Sequence, residues 1–150
     1  MKISIGQLYT EPGVDYPFSH VFQQWLGKAI TDRVQPSVEW VLDYGPEFSL
    51  MLRISAKSGL VRPEVKGPTV FKHDRDVEVT IFLPHEGRSL TEKCDLRKPL
   101  ELMLSGIVDA LRLCKLDSRL VEASVAELIE QAAENPAMIS VRKPKLDRFT

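Results

Sequence analysis

Histidines stand at positions 20, 73 and 85, and two of them open the most polar clusters of the chain. His73-Asp74-Arg75-Asp76 places an imidazole beside two carboxylates, groups suited to general acid–base work or to holding a divalent cation. The same residues suit a charged turn between strands, because Asp readily bonds its own backbone. Neighbours in an extended chain also point to opposite faces, which favours the turn. His85-Glu86-Gly87-Arg88 poses the same choice after a strand, and with no identifiable partner it reads as an exposed loop. His20 has no second His or Cys at ligand spacing. No His-Glu-x-x-His, Gly-x-Ser-x-Gly, P-loop or Gly-x-Gly-x-x-Gly occurs, so the signatures of zinc peptidases, serine hydrolases and nucleotide binders are missing.

Other candidates have bland counterparts. Glu127, Glu130 and Glu134 recur at three and four residues, either an acidic ridge for a basic partner or the solvated side of an amphipathic helix. Cys94 and Cys114 form no Cys-x-x-Cys pair. Cys114 falls on an apolar helical stripe, where a thiol behaves as a small hydrophobe. Trp25 and Trp40 lie within apolar patterns and read as core. The tail 142–150 carries four basic residues and one acid, while residues 1–141 hold 16 basic and 20 acidic. The tail reads as a frayed, solvated end.

The elements that must position these residues follow from periodicity. Ile3 and Ile5 mark a first strand over Lys2–Tyr9, broken by Pro12-Gly13. Asp15 and Pro17 suit a helix start, and Phe18, Val21, Phe22, Trp25, Leu26, Ala29 and Ile30 recur at helical spacing up to Pro36. Val38, Trp40, Leu42 and Tyr44 alternate with Glu39, Val41 and Asp43, the pattern of a strand. Phe48, Leu50, Leu52 and Ile54 repeat it across Gly45-Pro46, predicting an antiparallel hairpin. Residues 57–68 read as a loop, Thr69–Lys72 as a short strand, and Val77–Leu83 as a further strand stopped by Pro84. Asp95 and Pro99 suit the start of a long helix whose apolar face runs from Leu100 to Cys114. Ser124-Val125-Ala126-Glu127 matches a capping box, predicting a last helix that stops at Asn135-Pro136.

The order β-α-β-β-(β)-β-α-α predicts an α+β domain over 1–141: an antiparallel sheet of about four or five strands packed against three helices. The chain has 150 residues, 43% of them hydrophobic, with 20 Lys+Arg against 21 Asp+Glu. That is enough apolar material for a core, and no run approaches the roughly 20 residues that span a bilayer. The near-neutral charge argues against a nucleic-acid ligand. No apolar stretch follows Lys2, which argues against a secretory signal. A cytoplasmic protein with no membrane partner, cofactor or metal is expected.

Residues 38–130 carry a resemblance. An aromatic-bearing segment, Val38-Glu39-Trp40-Val41-Leu42-Asp43, precedes the turn Gly45-Pro46-Glu47-Phe48. After a loop comes Gly67-Pro68-Thr69-Val70-Phe71-Lys72, then the polar turn, a hydrophobic strand ending in Pro84, and two helices. This pattern resembles small immunity proteins of bacterial polymorphic toxin and contact-dependent growth-inhibition systems. The resemblance implies a non-catalytic protein that binds a cognate toxin domain, for which Asp74, Asp76, Glu127, Glu130 and Glu134 are the candidate contact residues. Two other readings stand beside it. One is a small metal-dependent or His/Asp-using hydrolase built on His73, Asp74 and Asp76 or His85. The other is a secretion chaperone or adaptor using the Leu100–Cys114 helix for a client.

Overall fold

The computed structural model describes residues 1–7, 19–85 and 97–134. The order is β1 (Ile3–Gln7), α1 (His20–Thr31), α2 (Val38–Tyr44), β2 (Ser49–Ser58), β3 (Glu64–Phe71), β4 (Asp76–His85), α3 (Arg97–Leu113) and α4 (Arg119–Ala133). The expected α+β class holds, with four strands and four helices among the described residues. The sheet is mixed rather than antiparallel. Its order is β1-β2-β4-β3, with β1–β2 and β2–β4 parallel and only β3–β4 antiparallel.

Leu50, Leu52 and Ile54 on β2 and Val77, Val79 and Ile81 on β4 are wholly buried, and the residues between them, such as Met51, Arg53, Glu78 and Thr80, are half-buried. One sheet face therefore carries the core. Phe22, Leu26 and Ile30 of α1 join it, as do Leu100, Met103, Leu104, Ile107 and Leu111 of α3 and Val121 and Leu128 of α4. Gly106 lets α3 come close: a Cβ there would stand 2.5 Å from the Ile81 side chain. On the opposite face Arg53 donates twice to one Glu78 oxygen at 3.1 and 3.2 Å, and the Lys57 and Lys66 ammoniums lie 5.5 and 5.4 Å from the Phe82 ring centre.

Several sequence expectations are corrected. Val38–Tyr44 is a helix, so the predicted hairpin with β2 does not form. Ser37 caps it by accepting from the Trp40 amide at 3.1 Å, and Glu39 sits at the positive end of the helix dipole. A spacing of four residues fits both periods, so Trp40 and Tyr44 share a face in a strand and also in a helix. Part of the predicted 57–68 loop is strand, since β3 begins at Glu64; a register shift between Lys66 and Thr69 interrupts its pairing. The first helix ends at Thr31, ahead of Pro36, and β4 continues through Pro84 to His85. The capping box is also displaced. The last helix starts at Arg119 with Ser118 at its N-cap, and Ser124 sits inside it, donating to the Leu120 carbonyl at 2.7 Å. Asp15, Pro17, Asp95, Asn135-Pro136 and the 142–150 tail lie outside the described residues.

α1 also closes the outer edge of β1. The Thr31 hydroxyl accepts from the Ile3 amide at 3.0 Å and lies 2.7 Å from the Gly27 carbonyl, to which it can donate. Thr31→Val keeps the shape and removes that acceptor. Leaving the Ile3 N–H unpaired should lower stability by about 1–2 kcal/mol, read as a shift of the urea midpoint at unchanged slope.

Candidate functional site

The predicted residues divide between two regions. Asp74 is exposed on the turn from Lys72 to Arg75, and Asp76 is half-buried where β4 begins. Asp76 pairs in register with Ser49 of β2, and the Ser49 amide donates to the Arg75 carbonyl at 2.9 Å. This turn therefore lies beside the segment leaving α2. Glu127 and Glu130 lie elsewhere, exposed on α4. Glu130 pairs with Arg97, at the start of α3, at 2.5 Å, and Glu127 accepts from Gln131 and faces Arg33 at 4.0 Å. Glu134 caps the end of α4. The three glutamates behave as the solvated side of an amphipathic helix.

His73 and Asp74 are exposed in the turn. Among the described residues, no three His, Cys, Asp or Glu side chains gather where they could hold a metal ion. The His85 side chain and Glu86–Arg88 lie outside the described residues. A cleft of about 510 Å³ lies between the β2–β3 connection and α3, lined by residues 59–65 and Asp109. It brings Arg62, Glu64 and Asp109 to a shallow surface away from the histidine-bearing turn. The apolar face from Leu100 to Cys114, which a client-binding role would use, is buried in the core.

Sequence reasoning missed α2, because alternation hid its helical face. Trp40 is 1% exposed, and its indole stands edge-on to Tyr44 with ring centres 4.8 Å apart; Tyr44 in turn stacks on Phe48 at 5.9 Å. Trp40 belongs to the hydrophobic core and Tyr44 and Phe48 pack against it, so this row of rings is the side of α2 that faces the domain. On the other side Val38 and Leu42 are 75% and 79% exposed, with Val41 next to them at 38%. The hydroxyl of Ser37, three residues before Trp40, was the signal that could have revealed the helix. Among the described residues the buried Trp40 Nε1 has no hydrogen-bond partner, an unmet donor on the core side of α2.

Two cations hold this region from either side. Lys115 Nζ reaches Glu39 of α2 at 3.2 Å, and Arg75 Nη1 reaches Glu47, just past α2, at 2.7 Å. Among the described residues these are also the two non-glycine residues with positive φ, 59° at Lys115 and 55° at Arg75. Lys115 occupies the left-handed position that ends α3: its amide donates to Arg112 O and the Leu116 amide to Leu111 O, both at 2.9 Å. Glycine is the residue of least cost there, whereas both positions hold a cation that reaches a carboxylate. The Glu39 bond and nearby Asp43 raise the Lys115 pKa. Burial pushes the neighbouring Cys114 thiol from its ordinary 9.0 up to about 11, so it is protonated and a poor nucleophile at neutral pH.

Comparison of the chain with protein-family models, curated proteins and solved structures gave no match.

Two measurements probe this region. Trp40→Ala should cost about 3–5 kcal/mol. Trp40→Phe keeps an aromatic ring and removes the unmet donor, so it should cost less than about 1.5 kcal/mol, compared by urea midpoints. The folded state holds the Cys114 proton more tightly than the unfolded chain does. This contribution is thus constant below pH 9 and is lost as pH rises from 9.0 towards about 11. Cys114→Ala should flatten that part of the stability profile.

Proposed function

We propose that this chain is a cytoplasmic immunity protein that binds a cognate bacterial toxin domain and blocks its action, with no chemistry of its own. The observation that carries this reading is the β3–β4 turn. Arg75 pins the turn to Glu47, while the Asp74 and Asp76 carboxylates have no hydrogen bond or ion pair within the described residues. Charge that is fixed in place and unpaired at home is available to another molecule. Glu127 and Glu130 are engaged by Arg33 and Arg97, which leaves Asp74 and Asp76, with Glu134, as the stronger contact residues of the five. The resemblance of residues 38–130 to immunity proteins supplies the class of partner. No helix among the described residues is long and apolar enough to cross a membrane.

Co-expression with the toxin domain encoded beside it should restore growth and yield a stable 1:1 complex on a sizing column. Asp74→Lys together with Asp76→Lys should slow association about tenfold at low salt and much less at high salt. Persistent toxicity with no complex would overturn the proposal.

A further inference from the structure

The exposed side of α2 is an unusual surface for a helix so firmly anchored. Val38, Val41 and Leu42 follow the i, i+3, i+4 rule and form one apolar stripe, and Val38 and Leu42 are 75% and 79% exposed. Other exposed apolar residues, such as Val21, Val61 and Leu120, stand on separate elements. Scattered exposure needs no explanation, but a grouped and rigidly presented patch does. Trp40, buried in the core, ties the opposite side of the helix to the body of the domain, and Lys115 pairs with Glu39.

Charge indicates what covers the stripe. One turn of helix separates Glu39 from Asp43, so the two carboxylates form a row along one flank of the stripe. Glu39 is held by Lys115, and Asp43 has no ion pair within the described residues. Beyond the helix, Asp74 and Asp76 outnumber Lys72 among the unpaired charges of the turn that Arg75 ties to Glu47. If two copies paired antiparallel through α2, each carboxylate row would face its own counterpart, and like charges facing each other are destabilising. A seven-residue helix is also only about 10 Å long, far short of the roughly 800 Å² per partner that a stable interface needs. The occupant must therefore extend past the stripe, and the acidic turn is tied by Arg75 to Glu47, three residues beyond the end of α2.

We infer that α2 is the central anchor of the partner interface, and that the partner is a protein presenting an apolar cluster ringed by Lys and Arg side chains. This inference rests on the toxin-binding reading and names the surface that performs it. Val38 and Leu42 would be desolvated at the centre of the contact, with Asp43 and Asp74 at its rim. Buried anchors govern the dissociation rate and rim charges govern the association rate.

The probe is the purified toxin domain encoded beside the chain, with affinity and rates measured by surface plasmon resonance on the full-length protein. Val38→Asp and Leu42→Asp each place a charge at the centre, and each should weaken binding about a hundredfold, mainly by faster dissociation. Asp43→Lys should slow association several-fold in a salt-dependent way. Both apolar positions are exposed in the free chain, so thermal melts should match the wild type. Should an Asp variant fail to fold, Leu42→Ala should still weaken binding about tenfold. If the wild type binds and protects while the α2 variants bind within about threefold of it, the α2 anchor is wrong and the toxin-binding reading survives. If the wild type neither binds nor protects, both fail. A wild-type dimer that Leu42→Asp converts to a monomer in sedimentation equilibrium would make a second copy the occupant and overturn the inference.

Discussion

The ten-residue parallel pairing of β2 with β4, from Ser49 opposite Asp76 to Ser58 opposite His85, is the constraint from which the rest follows. Parallel strands cannot be joined by a tight turn. The chain leaves β2, returns as β3 on the outside, and then inserts β4 between the two. Its register aligns two fully buried apolar rows, Leu50-Leu52-Ile54 and Val77-Val79-Ile81, on one face, and α1 and α3 pack there. The same register places the β3–β4 turn beside the chain that enters β2, which is how Arg75 comes to reach Glu47.

Much of this was legible from residue order. The strand within 49–58, β4 and the long α3 announce themselves by clean periodicity, and β1 by an imperfect alternation around Ile3 and Ile5. The errors share a cause: patterns that satisfy two geometries at once. Val38–Tyr44 alternates as a strand does, yet its aromatic pair at a spacing of four fits a helix equally well, and the Ser37 cap decides the matter. Ser124-x-x-Glu127 has the form of a capping box, but the helix had already begun at Arg119, and a cap residue inside a helix simply bonds back to the preceding turn. Direction of pairing could not be read at all, because β2 and β4 carry the same alternation whether parallel or antiparallel. Of the candidate contacts, the sequence could name the carboxylates but not which were already engaged. That division depends on Arg33 and Arg97, residues far from Glu127 and Glu130 along the chain.

The region around α2 combines two kinds of restraint. Burial of Trp40 in the core, with Tyr44 and Phe48 packed against it, holds the helix from beneath, while Lys115 reaches Glu39 on its flank and Arg75 reaches Glu47 just past its end. Exposed ion pairs contribute little stability singly, so Lys115 and Arg75 matter more for orientation than for energy. Both occupy left-handed backbone that a glycine would adopt at less cost. A surface held this way loses little freedom on binding.

The Thr31 hydroxyl at the outer edge of β1 has a consequence for how this molecule can meet others. It occupies the Ile3 amide, a group a neighbouring strand would otherwise take, and Gly27 lets α1 lie within van der Waals contact of the same edge. At the other edge, β3 breaks its register at Gly67-Pro68, and a proline there offers no N–H. Both margins of the sheet are thus unfavourable to an incoming strand. Main-chain zippering, the commonest route by which exposed sheets recruit partners or aggregate, is disfavoured, and association falls to side chains presented by helices and turns.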